Sequence, residues 1–197
     1  MEQFVTRVTN FHKKFSHPIA QKPIMILKDR FELRFDMLRE ENEEYIDASE
    51  ENDLIEVADA IGDMLYILSG TMIEHGLIKE IKPIEILDNG DKIRSITLAE
   101  SVDFFEIIRK ANEEYIKSCE RNDLIGVKNS IELLIKYLTH LISEHNLSSK
   151  IELVFDEIHK SNMSKLGEDG KPIYREDGKI LKGPNYFKPN IKDILNL

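Results

Sequence analysis

Apolar residues recur at three- and four-residue intervals through most of the chain, and sustained alternation appears nowhere before the last thirty residues. That period sets successive apolar side chains on one helical stripe, so it predicts an all-α body. Helices are expected at 2–16, 29–50, 53–75, 98–120, 123–145 and 149–165. Pro18 and Pro23 close the first, Gly76 suits a left-handed cap after the third, and Asn146 takes the matching place after the fifth. Thr97 with Glu100, and Ser149 with Glu152, have capping-box spacing. After Leu166 the chain turns polar and glycine-rich, with a hairpin turn expected at Asp177-Gly178, so this part reads as a tail.

The apolar pattern occurs twice. NEEYIDASEENDL starts at Asn42 and NEEYIKSCERNDL at Asn112, and at this offset of seventy Asn42–Ala58 matches Asn112–Lys128 at eleven of seventeen positions. Glu74-His75 returns as Glu144-His145 at the end of the next helix. Each unit reads as a helical hairpin, and a two-helix unit cannot bury its apolar face alone. The two copies should therefore pack face to face as a four-helix-bundle-like fold with internal two-fold symmetry, an internal pseudo-dimer. The expected organisation is one domain over 1–197, with hairpin repeats at 28–78 and 98–148 and a final helix plus tail at 149–197.

One copy carries charges that the apolar pattern does not explain. Leu54–Leu68 has three charged residues, Glu56, Asp59 and Asp63, on one stripe of an otherwise apolar helix. A solvated face would mix in Lys, Arg, Ser or Gln, whereas this stripe is purely acidic. On the preceding helix Glu41 stands at the edge of the apolar stripe, with Glu44 one turn on and Glu40 beside it. Converging carboxylates repel and are driven towards protonation unless a cation joins them. Oxygen ligands without Cys or paired His favour Mg²⁺ or Mn²⁺ over zinc, and Mg²⁺ in such sites commonly keeps water and phosphate oxygens as its other ligands. The chemistry pointed to is that of phosphate esters. Glu56 also stands three residues after Asp53 and could instead complete a capping box. The six histidines form no Glu-x-x-His pair, only a single Asp156-x-x-His159, which argues against a di-iron bundle, and most of them are expected at the surface or at helix caps.

Composition narrows the classes further. A net charge of -10 opposes broad neutralisation of nucleic-acid phosphates, so nucleic acid is not an expected partner. The lone Cys119 cannot form an internal disulfide and reads as a small core residue in an intracellular chain. No stretch approaches the ~18 uncharged apolar residues of a membrane span, and the start is amphipathic without a signal-type apolar run. A soluble, cytoplasmic protein is expected.

The pair Glu40-Glu41-x-x-Glu44 and Glu56-x-x-Asp59 resembles the acidic motif of the all-α nucleoside triphosphate pyrophosphohydrolases. That group includes MazG-like proteins, phosphoribosyl-ATP pyrophosphohydrolase and dimeric dUTPases. EVADAIGDMLYILSG, and later VFDEIHKSNMSKLGEDGKPIYREDGKILKGPNYFKP, look closest to the phosphoribosyl-ATP pyrophosphohydrolase-like branch, together with FHKKF near the start and Arg34 six residues before Glu40. If the helix is aligned on Asp63-Met-Leu-Tyr66 instead, Asp63 ends the motif, Asp59 stands where a Glu is usual and Glu56 falls outside the metal set. The resemblance implies Mg²⁺ held on a triphosphate by Glu41, Glu44, Asp59 and Asp63, with Glu40 and Glu41 taking part in catalysis. It implies hydrolysis to a monophosphate and pyrophosphate, with Arg34, Asn162, Lys165 and Lys182 on the substrate. Lys171, Arg175 and Lys179 of the tail are further candidates for phosphate contact.

In the second copy Glu40 becomes Lys110, Glu41 Ala111, Glu56 Gly126, Asp59 Asn129 and Asp63 Leu133, with Glu44 alone kept as Glu114. A metal site is expected in the first copy only, the second serving as the packing partner that a second subunit would otherwise be. The expected activity is a Mg²⁺-dependent nucleoside triphosphate pyrophosphohydrolase. The alternatives are phosphoribosyl-ATP pyrophosphohydrolase and a non-catalytic nucleotide-binding helical module. The sequence leaves the base preferred, and any further pairing of chains into a homodimer, open.

Overall fold

The computed structural model describes residues 2–81, 93–176 and 178–197. These contain seven helices: α1 (Glu2–Lys14), α2 (Lys28–Glu50), α3 (Leu54–His75), α4 (Leu98–Glu120), α5 (Leu124–Glu144), α6 (Ile151–Met163) and α7 (Ile191–Leu195). No strand occurs among the described residues. Two isolated antiparallel bridges, Leu166 with Pro172 and Tyr174 with Ile180, fold the tail back on itself. The all-α expectation holds, and the six expected helices appear with ends shifted by two residues at most.

Local chemistry sets most of the helix ends. Asp53 accepts from the Ile55 and Glu56 amides, and Thr97 and Glu100 form the full capping box. Gly76 takes the left-handed conformation at φ +66, and Asn146 follows at φ +54 in the second copy. The box expected at Ser149 and Glu152 does not form. The amides of Lys150 and Ile151 both bond the Leu147 carbonyl, so the chain enters α6 through a turn and Ser149 lies outside the capping position. Of the turn expected at Asp177-Gly178, Asp177 lies outside the described residues, while Gly178 has φ +85. The sequence reading missed α7, whose five residues are too few to show a period; it is held by the buried Ile191 and Leu195.

Helices α2 to α5 form the bundle: α2 pairs with α3, α4 with α5, and α2 packs on α4 across the repeat boundary. The outer helices α1 and α6 pack on α3, and α7 closes against α3 and α6. This crowding explains the composition of α3, which is buried continuously from Met64 to His75 and so cannot carry a polar face. Burial of Cys119 agrees with its reading as a core residue. One connected set of buried apolar residues runs from Phe4 in α1 to Leu195 in α7.

The duplication is visible as reciprocal bonds. Asn42 donates to the Phe105 carbonyl at 3.0 Å, and Asn112 donates to the Phe35 carbonyl at 2.9 Å. Tyr45 meets His145 at 3.2 Å, and Tyr115 meets His75 at 3.1 Å. The other nitrogen of each of these rings bonds a carbonyl, Ile24 for His75 and Arg94 for His145. Every pair lies at the offset of seventy, so the residues common to the two copies are those that hold the copies together. The histidines therefore correct the surface reading: His12, His75 and His145 are fully buried, although His145 does stand at the C-cap of α5. A neutral imidazole can be buried because it finds a donor and an acceptor there, and burial lowers the pKa of both His75 and His145.

Candidate active site

A pocket of about 120 Å³, open to solvent at its mouth, lies between α1, α2, α3, the end of α6 and the tail. Its walls bring together Glu41 from α2, Asp63 from α3, Asn162 from α6, and Lys165 and Lys179 from the following segment. Apolar and aromatic groups, Phe11, Leu33, Met37 and Tyr66 among them, complete the lining.

The acidic residues are electrostatic neighbours. Burial, then the charges of Asp63, Glu44 and Asp59, raises the Glu41 carboxyl to about 9. Burial with Asp63 and Glu56 raises Asp59 to about 7. Asp63 rises to about 6 through burial, against the opposing pull of Lys165 and its hydrogen bond with Asn162. Burial lowers Lys165, although Asp63 and Glu41 favour its charge. Two antiparallel helices thus hold three carboxyl groups whose ionisation is opposed both by burial and by one another, which is what a hard cation would relieve. The donor set fits such an ion: it is all oxygen, and Oδ1 of Asp59 is buried without a hydrogen-bond partner among the described residues.

The other predicted residues stand around this centre. Glu44 is exposed, yet its charge reaches Glu41, Asp59 and Asp63. Glu40, at the rim, is paired with Lys179. Glu56 bonds Lys188 at 2.6 Å and does not return to the cap that Asp53 makes for α3, so the capping box is not completed, while its charge reaches Asp59. Lys182 lies 4.6 Å from the Tyr186 ring centroid, and its charge also reaches Asp63. Lys171 pairs locally with Asp169. Arg34 lines the pocket, but its guanidinium is bonded to Glu74. In the second copy the retained Glu114 pairs with Arg121 at 2.6 Å, and Leu133 stands exposed where Asp63 stands in the first.

Sequence reasoning missed a second group at the pocket. Glu74, with no exposed side-chain surface, accepts from both Arg30 and Arg34. Burial would raise this carboxyl, but the two arginines outweigh it and hold it down at about 2. Arg34 also reaches Nε2 of His12 at 3.3 Å, while Nδ1 of His12 meets the Pro18 carbonyl at 2.8 Å. Gly70 makes room for this packing, since a Cβ there would lie 2.8 Å from Arg34 Nη1 and 3.0 Å from His12 Nε2. His12, His17 and Glu74 are the ligand-type residues whose atoms gather within 4.8 Å among the described residues. Two guanidinium groups already occupy Glu74, so added positive charge is disfavoured there. The signal available in the sequence was the repeated Glu-His pair, which marks the helix end without naming its partners.

The all-helical bundle thus sets acidic residues of two adjacent helices, Glu41 and Asp63, on one pocket with lysines. Residues 8–89 match the family model of phosphoribosyl-ATP pyrophosphohydrolase, so this part of the chain is similar to that family. The match supports a pyrophosphohydrolase-like activity in general terms and a nucleotide as substrate. An uncharacterized protein of Acanthamoeba polyphaga mimivirus is 27% identical, over 95% of this chain and 94% of its own length. No solved structure matches the chain. Among the described residues no helix is long and apolar enough to cross a membrane.

Proposed function

We propose that the chain is a Mg²⁺-dependent nucleoside triphosphate pyrophosphohydrolase with one working site, in the first repeat. The observation that carries this reading is the set of Glu41 and Asp63 in one pocket with Lys165, with Asp59 their electrostatic neighbour, all three carboxyls raised by burial and mutual repulsion. Glu41, Glu44, Asp59 and Asp63 would hold Mg²⁺ or Mn²⁺, which when bound neutralises phosphate charge and lowers the pKa of a bound water. Lys165 supplies a point charge for phosphate oxygens, fixed next to Asp63 and Asn162. Glu40 positions Lys179 at the rim, and Lys182 adds positive potential nearby. With a divalent cation bound Glu41 would be ionised, and as the α2 carboxylate lining the pocket it would then be placed to accept the proton of the attacking water. Attack at the α-phosphorus breaks its bond to the bridging oxygen and releases pyrophosphate, leaving the nucleoside monophosphate.

Phosphoribosyl-ATP pyrophosphohydrolase is the second reading, favoured by the family that residues 8–89 match. Pyrophosphate release from the common ribo- and deoxyribonucleoside triphosphates and from phosphoribosyl-ATP, with and without Mg²⁺, tests both. Release from phosphoribosyl-ATP alone selects the narrower activity, and no release from any of them removes the enzymatic reading.

Lys165→Ala is expected to raise KM for the hydrolysed triphosphate, or to lower kcat, by about 10-fold, the scale of one charge-assisted contact. Steady-state kinetics check this, and unchanged constants would make Lys165 purely structural.

The raised carboxyl groups also set a pH dependence. Folded Glu41 holds its proton up to about 9, whereas the unfolded chain loses it near the ordinary value of 4.5. Over pH 7 to 9 the folded protein therefore binds more protons than the unfolded one, and metal-free stability should fall as pH rises. Saturating Mg²⁺ favours the ionised form, so its stabilising effect should be larger at pH 9 than at pH 7. Thermal melting of the metal-free and Mg²⁺-loaded protein gives the comparison, with Glu41→Gln expected to flatten the metal-free profile. The same slope in wild type and Glu41→Gln would count against Glu41 as the proton carrier.

A further inference from the structure

The pocket has two electrostatically separate ends. The charges felt by Asp63 come from Lys165, Glu44 and Lys182, whereas those felt by His17 come from Arg34, His12, Arg30 and Glu74. Tyr66, which lines the pocket, feels both Asp63 and Arg34 and so lies between them. The first end takes phosphate and cation in the reading given above, on which this inference rests. Something other than phosphate must occupy the second, because the Glu74 carboxylate stands there and both arginines are turned onto it.

His17 is the group at that end with capacity to spare. Both of its ring nitrogens are buried, and neither has a hydrogen-bond partner among the described residues. A buried polar atom left unpaired is destabilising, so such atoms are found where a ligand supplies the missing partner. The ring is enclosed by other rings: Phe11 edge-on at 5.6 Å, His12 edge-on at 5.2 Å, and Tyr174 from the tail stacked at 6.1 Å. Tyr174 is itself anchored by its hydroxyl, which donates to the Phe15 carbonyl. Burial and the nearby Arg34 lower the His17 pKa to about 3, so at neutral pH the ring is uncharged and offers one donor and one acceptor. A flat ring with a donor and an acceptor, among aromatic faces and away from the lysines, complements a heteroaromatic base.

We propose that His17 is a specificity-determining residue that hydrogen-bonds the edge of the nucleobase, with the bound nucleotide lying base towards α1 and phosphates towards α3. Its nitrogens exchange their unpaired state for the donor and acceptor of the base, which is where discrimination between bases arises.

The test is a binding titration that does not depend on turnover. The intact protein is titrated calorimetrically with AMP, GMP, CMP, UMP and, as the base-free control, ribose 5-phosphate. At least one monophosphate is expected to bind about tenfold more tightly than ribose 5-phosphate, the scale of one paired hydrogen bond. His17→Ala is expected to abolish that preference while leaving ribose 5-phosphate affinity unchanged. His17→Phe, which keeps the ring stack without the nitrogens, is expected to do the same, guarding against a packing defect in the alanine variant. Equal binding of all five probes, no nucleotide binding, or a preference that survives both variants overturns the proposal. Pyrophosphate release is scored separately. Base preference lost with His17 but without any hydrolysis sinks the enzymatic reading alone, and hydrolysis indifferent to base and to His17 sinks this one alone.

Discussion

Asp63→Asn is expected to lower the rate of pyrophosphate release by about 100-fold or more, the scale of losing one preorganised charge-stabilising group. Asp63 is in mutual repulsion with Glu41, Asp59 and Glu44, and it touches Lys165 and Asn162 electrostatically. Asparagine keeps the shape and the hydrogen bond but removes the charge. The metal-free protein should then melt no lower than wild type, because one of the repelling charges is gone, while stabilisation by Mg²⁺ should shrink. Rate and melting temperature measured on one preparation separate a lost ligand from a lost fold. Glu114→Ala in the second copy is the matching control and should leave the rate nearly intact, since Glu114 pairs with Arg121 and its acidic neighbours are replaced. Full activity in Asp63→Asn, or a large loss in a well-folded Glu114→Ala, contradicts the assignment of the working site to the first repeat.

Glu74→Ala is expected to destabilise the fold by about 3–5 kcal/mol, the usual cost of removing one partner of a buried ion pair. The side chain has no exposed surface, and its loss would strand two guanidinium groups, one of them also buried, against His12 and Gly70. Denaturant unfolding measures the loss, and a change below ~1 kcal/mol would show that water replaces the carboxylate. The same group predicts acid sensitivity with a definite sign. Glu74 is held at about 2, so its contribution is present above the ordinary carboxyl range and is lost as pH falls through that range towards 2. His12 and His17, lowered to about 4 and about 3, resist protonation in the fold while the unfolded chain takes up protons below about 6.5. All three act in one direction, whereas the raised Glu41, Asp59 and Asp63 act in the other until the unfolded carboxyl range is reached, so in the metal-free protein the net decline should set in below about pH 4.5. In Glu74→Ala the part of that decline below about pH 4.5 should be reduced.

Helical period, caps and duplication are properties of short windows, and the sequence by itself determined them. The spacing of three and four residues fixed six helices, the string shared by Asn42 and Asn112 fixed the repeat, and the acidic stripe on an apolar helix pointed to Asp59 and Asp63. The loss of five acidic positions in the second copy could likewise be read directly. Each of these rests on neighbours within a few turns of one helix, where backbone geometry alone decides which side chains share a face.

Only the tertiary structure decided which residues meet across the fold. The reciprocal Tyr45–His145 and His75–Tyr115 bonds join the two repeats, and they turn histidines expected at the surface into buried links. Lys188 meeting Glu56, and Lys179 meeting Glu40, bring the tail onto carboxylates more than a hundred residues earlier. Arg30 and Arg34 meet Glu74 across two helices, and His17 is left with nitrogens unpaired among the described residues inside the pocket. No local pattern encodes these pairings, because a charged or polar residue at a helix edge satisfies the same periodicity whether it faces water or a partner. Packing of α1, α6 and the tail around α3 removes the water and makes that choice, and the chemistry of the pocket follows from it.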